Sequence, residues 1–534
     1  MKTTIKNLIL SAVLVVGGAS CVDLDPAPYD RETDLTYWEE DPEAAVKALN
    51  TCYTYLGNMD EQLYCEAMTD NAYTKQPNDA TQNIGNGSYS TADPYVKKVW
   101  DGRYTGIRMC NELLENIDRV PDLDPELKKR YIGEAKVLRA YNYYELYTKF
   151  GDVPYTTKVL SIKESMSIAR TAKATVIANV LADLDEVING NYLPTSYDAD
   201  NKGRITRWAA MAIKAKIYLF EGNWTQVKNI TSTIMTEGGF KLFGSYAGLF
   251  EIANEYNSEV ILDAQYRPTS REHQMMYVFL PPTLGGYSQL SPLQELVDSY
   301  IMLDGKTIKE TGTSFDESHP YANRDPRLKA TVMYTGNSYT LADGTEVVIN
   351  CEKGEGKDGY GVGSDCSATG YYIKKYWDNT YRATLYSGLN PILIRYADIL
   401  LMNAEALAEL GELDKTAWDA TIKPIRDRAG FTLASALEFP EGASKDKLIE
   451  IVRNERRSEL ALEGHRHKDI IRWRIADNVL NGWCHGLKTN DVVGTDDGYV
   501  RVENRTFNAN RHYLWPIPQA ERDLNGNLEQ NPNW

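Results

Sequence analysis

Apolar positions recur along this chain with different periods, and each period predicts a different element. The first stretch has no period: Leu8 to Val16 is apolar except for Ser11, with Lys2 and Lys6 before it and Gly17, Gly18, Ala19 and Ser20 after it, ending at Cys21. Charge, apolar run and small residues in that order predict a secretory signal over residues 1–20. The run is well short of the ~20 residues that span a bilayer. Three- and four-residue spacing then predicts helices over 41–57, 96–119 and 124–149, the second ended by Pro121 and the third by Gly151, Asp152, Val153 and Pro154. Between the first two, residues 69–95 are polar, rich in Gly and Asn and aperiodic, which predicts a long loop.

Two later segments share one plan. Residues 207–235 and 395–425 each read as helix, turn, helix, with Gly222 and Gly411 where the first helix of each pair should end. In the second, Ala397, Leu400, Leu401, Ala404, Leu407 and Ala408 fall on one face, and the small residues let a partner helix come close. The plan resembles the tetratricopeptide helix pair. Residues 238–390, between the copies, are irregular, with a strand-like run over 259–266 and a hairpin over 339–351 turning at Asp343-Gly344. A stretch this long without periodicity points to function carried on loops. The expected fold class is mainly α: tetratricopeptide-like helix pairs as scaffold, an irregular loop-rich half that binds ligand, and a few short β-hairpins.

Composition narrows the partners. The chain has 534 residues, is 43% hydrophobic and carries a net charge of −17. It shows no basic stripe, so a nucleic-acid partner is not expected, and an anionic lipid surface would repel it. Seven cysteines include no CxxC pair, and metal-ligand spacing is absent. Cys351 and Cys366 flank a Gly-rich loop, where two readings stand: a disulfide closing the loop, or buried free thiols. Tyrosine is in excess, 36 against 10 Phe. A buried phenol needs a hydrogen-bond partner, so the excess points to half-wet surfaces, where a ring face covers an apolar patch such as a sugar ring presents.

Catalytic motifs are missing. Residues 356–364 are glycine-rich, but Gly356-Lys357 is followed by Asp358 rather than Ser or Thr and no helix is expected after it, so a phosphate loop is not expected, and no GxSxG turn occurs. His465 and His467 are two apart, on different helix faces, and are expected as surface or capping groups rather than a shared metal site. Glu455, Arg456, Glu459, Glu463, Arg466, Asp469, Arg472 and Trp473 recur at helical spacing, which predicts a salt-bridge lattice clamping two helices.

Several blocks, in order, resemble the SusD/RagB family of Bacteroidetes surface lipoproteins: residues 100–118, 133–155, 324–328 (RDPRL), 370–377, 391–411, 455–473 and the C-terminal 513–534. The match covers essentially all of 21–534, which is read as one domain after the signal: an N-terminal helical part 21–236, a loop-rich part 237–390 and a C-terminal helical part 391–534. Cys21 after small residues resembles a lipoprotein signal, although Gly18 stands where such signals usually carry Leu, and the acidic residues after it resemble an export tag. The resemblance implies a non-enzymatic glycan-binding protein without cofactor or metal. It would be lipid-anchored through Cys21 at the outer-membrane surface, and would pass oligosaccharides or polysaccharide to a SusC-like TonB-dependent transporter. A peptide-binding lid of the same family, or a surface glycan hydrolase, is the alternative. Trp100, Arg139 and Trp515 lie in the matching blocks and read as packing residues. The loops that match worst, 69–95, 266–290 and 334–380, supply the ligand candidates Asp70, Asn71, Tyr73, Tyr89, Tyr287, Tyr376 and Trp377.

Overall fold

The computed structural model describes residues 33–34, 36–75, 80–381 and 384–534; Cys21 and the signal segment lie outside the described residues. Its main helices are α1 (Ala44–Tyr53), α2 (Pro94–Asn116), α3 (Pro125–Phe150), α4 (Lys173–Asn189), α5 (Arg207–Phe220), α6 (Trp224–Glu237), α7 (Tyr396–Leu410), α8 (Lys445–Glu459) and α9 (Arg466–Arg472). Local chemistry sets their ends. Asp93 and Asp124 accept N-terminal amides of α2 and α3, each helix with proline in its first turn. Gly222 and Gly411 adopt left-handed backbone, φ +70° and +73°, just past α5 and α7, the conformation glycine takes at least cost.

From α1 to α8 each helix packs on the next. The row therefore runs unbroken from α6 to α7, although residues 238–395 intervene in sequence. The two helix pairs that look distant along the chain are neighbours in space. The second helix of the later pair is broken in two, Lys415–Ala420 and Ile422–Ala429, because Thr421 leaves helical backbone and its hydroxyl donates to the Ala417 carbonyl at 2.6 Å. Helix α3 lies centrally, against α1, α2, α4 and α5, and all but Tyr141 of Val137–Phe150 is buried. Trp100 packs edge-on to Phe150, which in turn meets Trp515. Arg139 is buried against Asp183 and Asn111. All three expected packing residues are inside.

The irregular segment builds a second core around Met275, Phe279, Leu280, Tyr300, Tyr339, Tyr371 and Tyr372. Short strands run through and beside it, among them β1 (Ala72–Thr74), β2 (Val260–Asp263), β3 (Leu290–Pro292), β4 (Ser338–Thr340), β5 (Glu346–Val348) and β6 (Ile392–Arg395). The β1–β3 and β2–β6 pairs are antiparallel. The β4–β5 hairpin turns at Asp343-Gly344, as the sequence predicts, with Thr340 opposite Glu346. Strands β7 (Gly482–Lys488), β8 (Thr495–Asp496) and β9 (Tyr499–Arg505) form a three-stranded sheet near the C-terminus.

The charged cluster of 453–473 is larger than its sequence suggests. Five cations, Arg327, Lys375, Arg395, Arg426 and Arg428, meet five carboxylates, Glu259, Asp325, Glu455, Glu459 and Glu463, in one buried lattice. Arg395 reaches Glu259, Glu459 and Glu463 at 2.6–2.7 Å, and Arg327 reaches Asp325, Glu455 and Glu459 at 2.7–2.9 Å. Lys375 pairs with Glu463, Arg426 with Glu455, and Arg428 with Glu259 and Glu459. The partners come from the irregular segment and from the C-terminal helical part, so the lattice joins those two parts rather than two helices alone.

Two outcomes test its role. Arg395→Met leaves three carboxylates short of a partner and is expected to lower unfolding stability by about 3–5 kcal/mol, whereas Lys415→Ala, in an exposed pair, leaves urea unfolding unchanged. Burial pushes the Glu459 carboxyl up, but Arg428, Arg395 and Arg327 outweigh it and hold it well below its ordinary 4.5; Glu455 and Glu463 are lowered by the same balance. Their stabilisation is full above the unfolded value and is lost as pH falls through the lowered folded values. Stability measured by urea unfolding should decline steadily below about pH 4.3.

Candidate functional site

The three poorly matching loops converge. Strand β1 of the first pairs with β3 at the end of the second, and the Lys75 amide donates to the Gln289 carbonyl. The Lys75 ammonium donates to the Ser364 and Cys366 carbonyls of the third. Asp358 of the third accepts the Thr283 amide of the second.

At this junction three tyrosines form a ledge, Tyr277 half-buried and Tyr287 and Tyr386 exposed. Tyr277 sits on the short helix Met275–Phe279. The chain then reverses through Pro281-Pro282 and Gly285-Gly286. Gly285 has φ +86°, and a Cβ on Gly286 would lie 2.1 Å from the Leu280 carbonyl oxygen, so the reversal requires glycine there. On the return, the Tyr287 amide donates to the Tyr277 carbonyl and the Gln289 amide to that of Val278. This lays the Tyr287 ring on that of Tyr277, with centroids 5.7 Å apart and planes at 17°. Tyr386 stands edge-on to Tyr277 at 6.2 Å. Its hydroxyl accepts from Gln274 at 2.6 Å, and the Tyr277 hydroxyl donates to the Thr384 carbonyl. The Tyr277 and Tyr386 rings are thus held by their hydroxyls, and Tyr287 by its backbone bond and stacking on Tyr277. Tyr287 and Tyr386 remain 46% and 38% exposed, enough to present aromatic surface to a ligand.

Of the seven sequence candidates, Tyr287 alone is on this ledge. Tyr73 is half-buried in β1, its hydroxyl accepting from Gln82. Trp377 is half-buried edge-on to Tyr339, its indole N–H on the Thr340 carbonyl, beside a separate cleft of about 510 Å³. The other four are interior, each at most 5% exposed, and engaged by partners inside the protein. Asp70 is clamped by Arg466 at 2.8 Å and Arg457 at 3.0 Å, which more than offset burial and hold its carboxyl far below the usual range. Asn71 donates to Glu66 and accepts from Arg457. Tyr376 lies between Gln62 and the Leu462 carbonyl. Tyr89 packs against His512 and Trp534. Each is polar or aromatic in a loop because a distant partner waits for it inside.

Two other expectations are corrected. Cys351 and Cys366 are free, buried thiols; backbone bonds Gly354 to Tyr360 and Tyr360 to Cys351 fold the loop instead. His465 and His467 are half-buried rather than surface groups, His465 standing at the N-cap position of α9 without a side-chain capping bond; both line a cleft of about 90 Å³, where burial and then neighbouring lysines push both imidazoles down to about 3. Sequence reasoning missed Tyr277 and Tyr386. For Tyr277 a signal existed, since tyrosines ten apart around Pro-Pro and Gly-Gly describe a tight reversal. Tyr386 lies outside the named loops and carries no local signal.

Known proteins bear on this architecture. The family model described as "SusD family" matches residues 249–534. The chain belongs to the SusD family. A second model of that group, "Starch-binding associating with outer membrane", matches residues 42–219. The SusD-like protein P25 of Formosa agariphila is 28% identical, covering 89% of this chain and 91% of its own. A SusD-like protein of Bacteroides fragilis has TM-score 0.80 at 28% identity, over 95% of this chain and all of its own. A SusD-like carbohydrate-binding protein of the same species has TM-score 0.81 at 28% identity, over 92% and 100%. The mainly helical fold with few small sheets is the fold of these SusD-like structures. No helix among the described residues is long and apolar enough to cross a membrane.

The placement of Asp70 yields a prediction. Asp70→Asn leaves Arg457 and Arg466 facing each other without a carboxylate and should destabilise by about 3 kcal/mol or more. Tyr287→Ala, on an exposed ring, should leave the melting temperature of this SusD-family chain within a degree or so of wild type. Calorimetry of both variants checks the contrast.

Proposed function

We propose that this chain is a cell-surface glycan-binding lipoprotein that captures oligosaccharides or polysaccharide and delivers them to a SusC-like TonB-dependent outer-membrane transporter, without cleaving them. The observation that carries the reading is the ledge of Tyr277, Tyr287 and Tyr386, with the Tyr287 and Tyr386 rings exposed on a half-buried Tyr277, in a SusD-family chain. A pyranose has an apolar face of C–H groups and a rim of hydroxyls. The ledge offers ring planes for the first, and the exposed Gln274 amide beside it suits the second. The family's association with carbohydrate binding and the outer membrane supports the same reading. Absence of turnover is inferred from the sequence, which carries no recognisable catalytic motif. Anchoring rests on Cys21 and the small residues before it; a tether lets a binding protein move over a transporter without being lost.

Isothermal titration with a bound oligosaccharide tests the ledge. Stacking contributes about 1 kcal/mol or somewhat more per ring, so Tyr287→Ala and Tyr386→Ala should each weaken binding about tenfold. The saccharide should be recovered at unchanged length after prolonged incubation. Wild-type affinity in both variants, or steady shortening of the saccharide, refutes the corresponding claim. A parallel titration with unstructured peptides should give no heat.

Anchoring is tested separately. Cys21→Ala should abolish incorporation of labelled acyl chains and move the protein from the membrane to the soluble fraction; label retained by the variant removes the lipid anchor from the account.

A further inference from the structure

We propose a second carbohydrate-binding cleft, for a neutral pyranose unit, at Trp483. Ten tryptophans occur in the chain, and Trp483 is the only exposed one among the described residues, with 43% of its surface free. A ring that large left in water forfeits hydrophobic stabilisation that every other tryptophan here largely gains. It is not loosely held: it lies in β7 opposite Asn504 of β9, with the Arg501 guanidinium 5.5 Å from the ring. Beside it opens a cleft of about 430 Å³, within the roughly 300–1,000 Å³ of small-ligand sites.

The lining selects the ligand. Asp298, Lys309, Asn454, Arg457 and Asn478 converge from separate segments of the chain and supply both donors and acceptors. A ligand rich in hydroxyls, each able to donate and accept, matches such a mixture. The ring at the mouth matches the one apolar face of a pyranose. Charge gives an ionic ligand no net preference: the lining carries Asp70, Glu295 and Asp298 against Lys309, Arg457 and Arg505, and Arg457 and Arg505 are already paired with Asp70 and Glu503. The cleft shares no residue with the tyrosine ledge. Two such sites on one chain would hold a polysaccharide more tightly than either alone, because the second contact is intramolecular.

Affinity electrophoresis of the full mature protein tests this, in native gels containing amylopectin, laminarin, galactomannan, xylan or polygalacturonate. At least one neutral polysaccharide should retard the wild type. On that gel Trp483→Ala should bind about tenfold more weakly, Asn478→Ala several-fold more weakly, and Trp483→Ala combined with Tyr287→Ala should run as in a blank gel. Should Trp483→Ala melt below wild type, the exposed Asn478 variant decides. Wild-type retardation of both Trp483→Ala and Asn478→Ala overturns the second cleft while leaving the ledge standing if Tyr287→Ala is impaired. Loss in the Trp483 and Asn478 variants with none in Tyr287→Ala keeps this cleft and overturns the ledge. Retardation by polygalacturonate alone overturns the neutral class, and a wild type unretarded on all five gels overturns both readings.

Discussion

Charges removed from water must find partners, and the buried lattice around Arg395, Arg327 and Glu459 is where this chain meets that constraint on the largest scale. Hydrophobic burial brings the helical row and the irregular half together but has no direction. The lattice adds direction: Glu259, Asp325, Arg327 and Lys375 belong to the irregular segment, while Arg426, Arg428, Glu455, Glu459 and Glu463 lie beyond it, with Arg395 at the junction where β6 becomes α7. A slip of one residue in any of these segments would strand a charge. The desolvation cost roughly offsets the attraction in such networks, so the lattice serves to fix register more than to add stability.

From that frame the site can be followed outward. Helices α8 and α9 present Arg457 and Arg466 to Asp70. Asp70 thereby sets the start of β1, β1 sets β3, and β3 begins three residues after Tyr287. Tyr287 lies on Tyr277, which carries Tyr386 at its edge. The exposed ledge is therefore tied to the core through a short run of directional bonds, which is what a binding surface made of loops needs if its rings are to be preorganised.

This explains what the sequence disclosed. Helices were legible because their signals are local: apolar spacing, Asp93-Pro94 and Asp124-Pro125 at the starts, Gly411 at an end. The β4–β5 hairpin was legible for the same reason, its turn lying within its own residues. The charged stripe of 453–473 was legible as a lattice, but its partners at 259, 327 and 395 were not, since nothing near them states where they go. The site was read least well. Polar character in loop 69–95 suggested contact with ligand, yet Asp70 and Asn71 answer arginines nearly four hundred positions away. A polar side chain in a loop reports only that it has a polar partner, and water, ligand and a buried arginine look alike from sequence.

The tyrosine excess carries the same lesson in a form that can be argued further. Its sequence reading, rings for half-wet surfaces, fits the ledge and the half-buried tyrosines of the irregular half, but not the tyrosines of its core. There four buried phenols donate to main-chain carbonyls: Tyr339 to Ile373, Tyr372 to Asp358, Tyr376 to Leu462 and Tyr246 to Glu459. A segment with so little helix and such short strands leaves many buried carbonyls without an amide partner, and each unpaired one is costly. Phenylalanine would fill the volume and leave the carbonyl bare. Tyrosine fills the volume and supplies the donor, so it is the side chain that lets a long irregular segment be packed like a core. The ledge uses the same property outward: the hydroxyls of Tyr277 and Tyr386 are tied back to the protein, and the ring surface that core tyrosines give to packing is left free for a ligand.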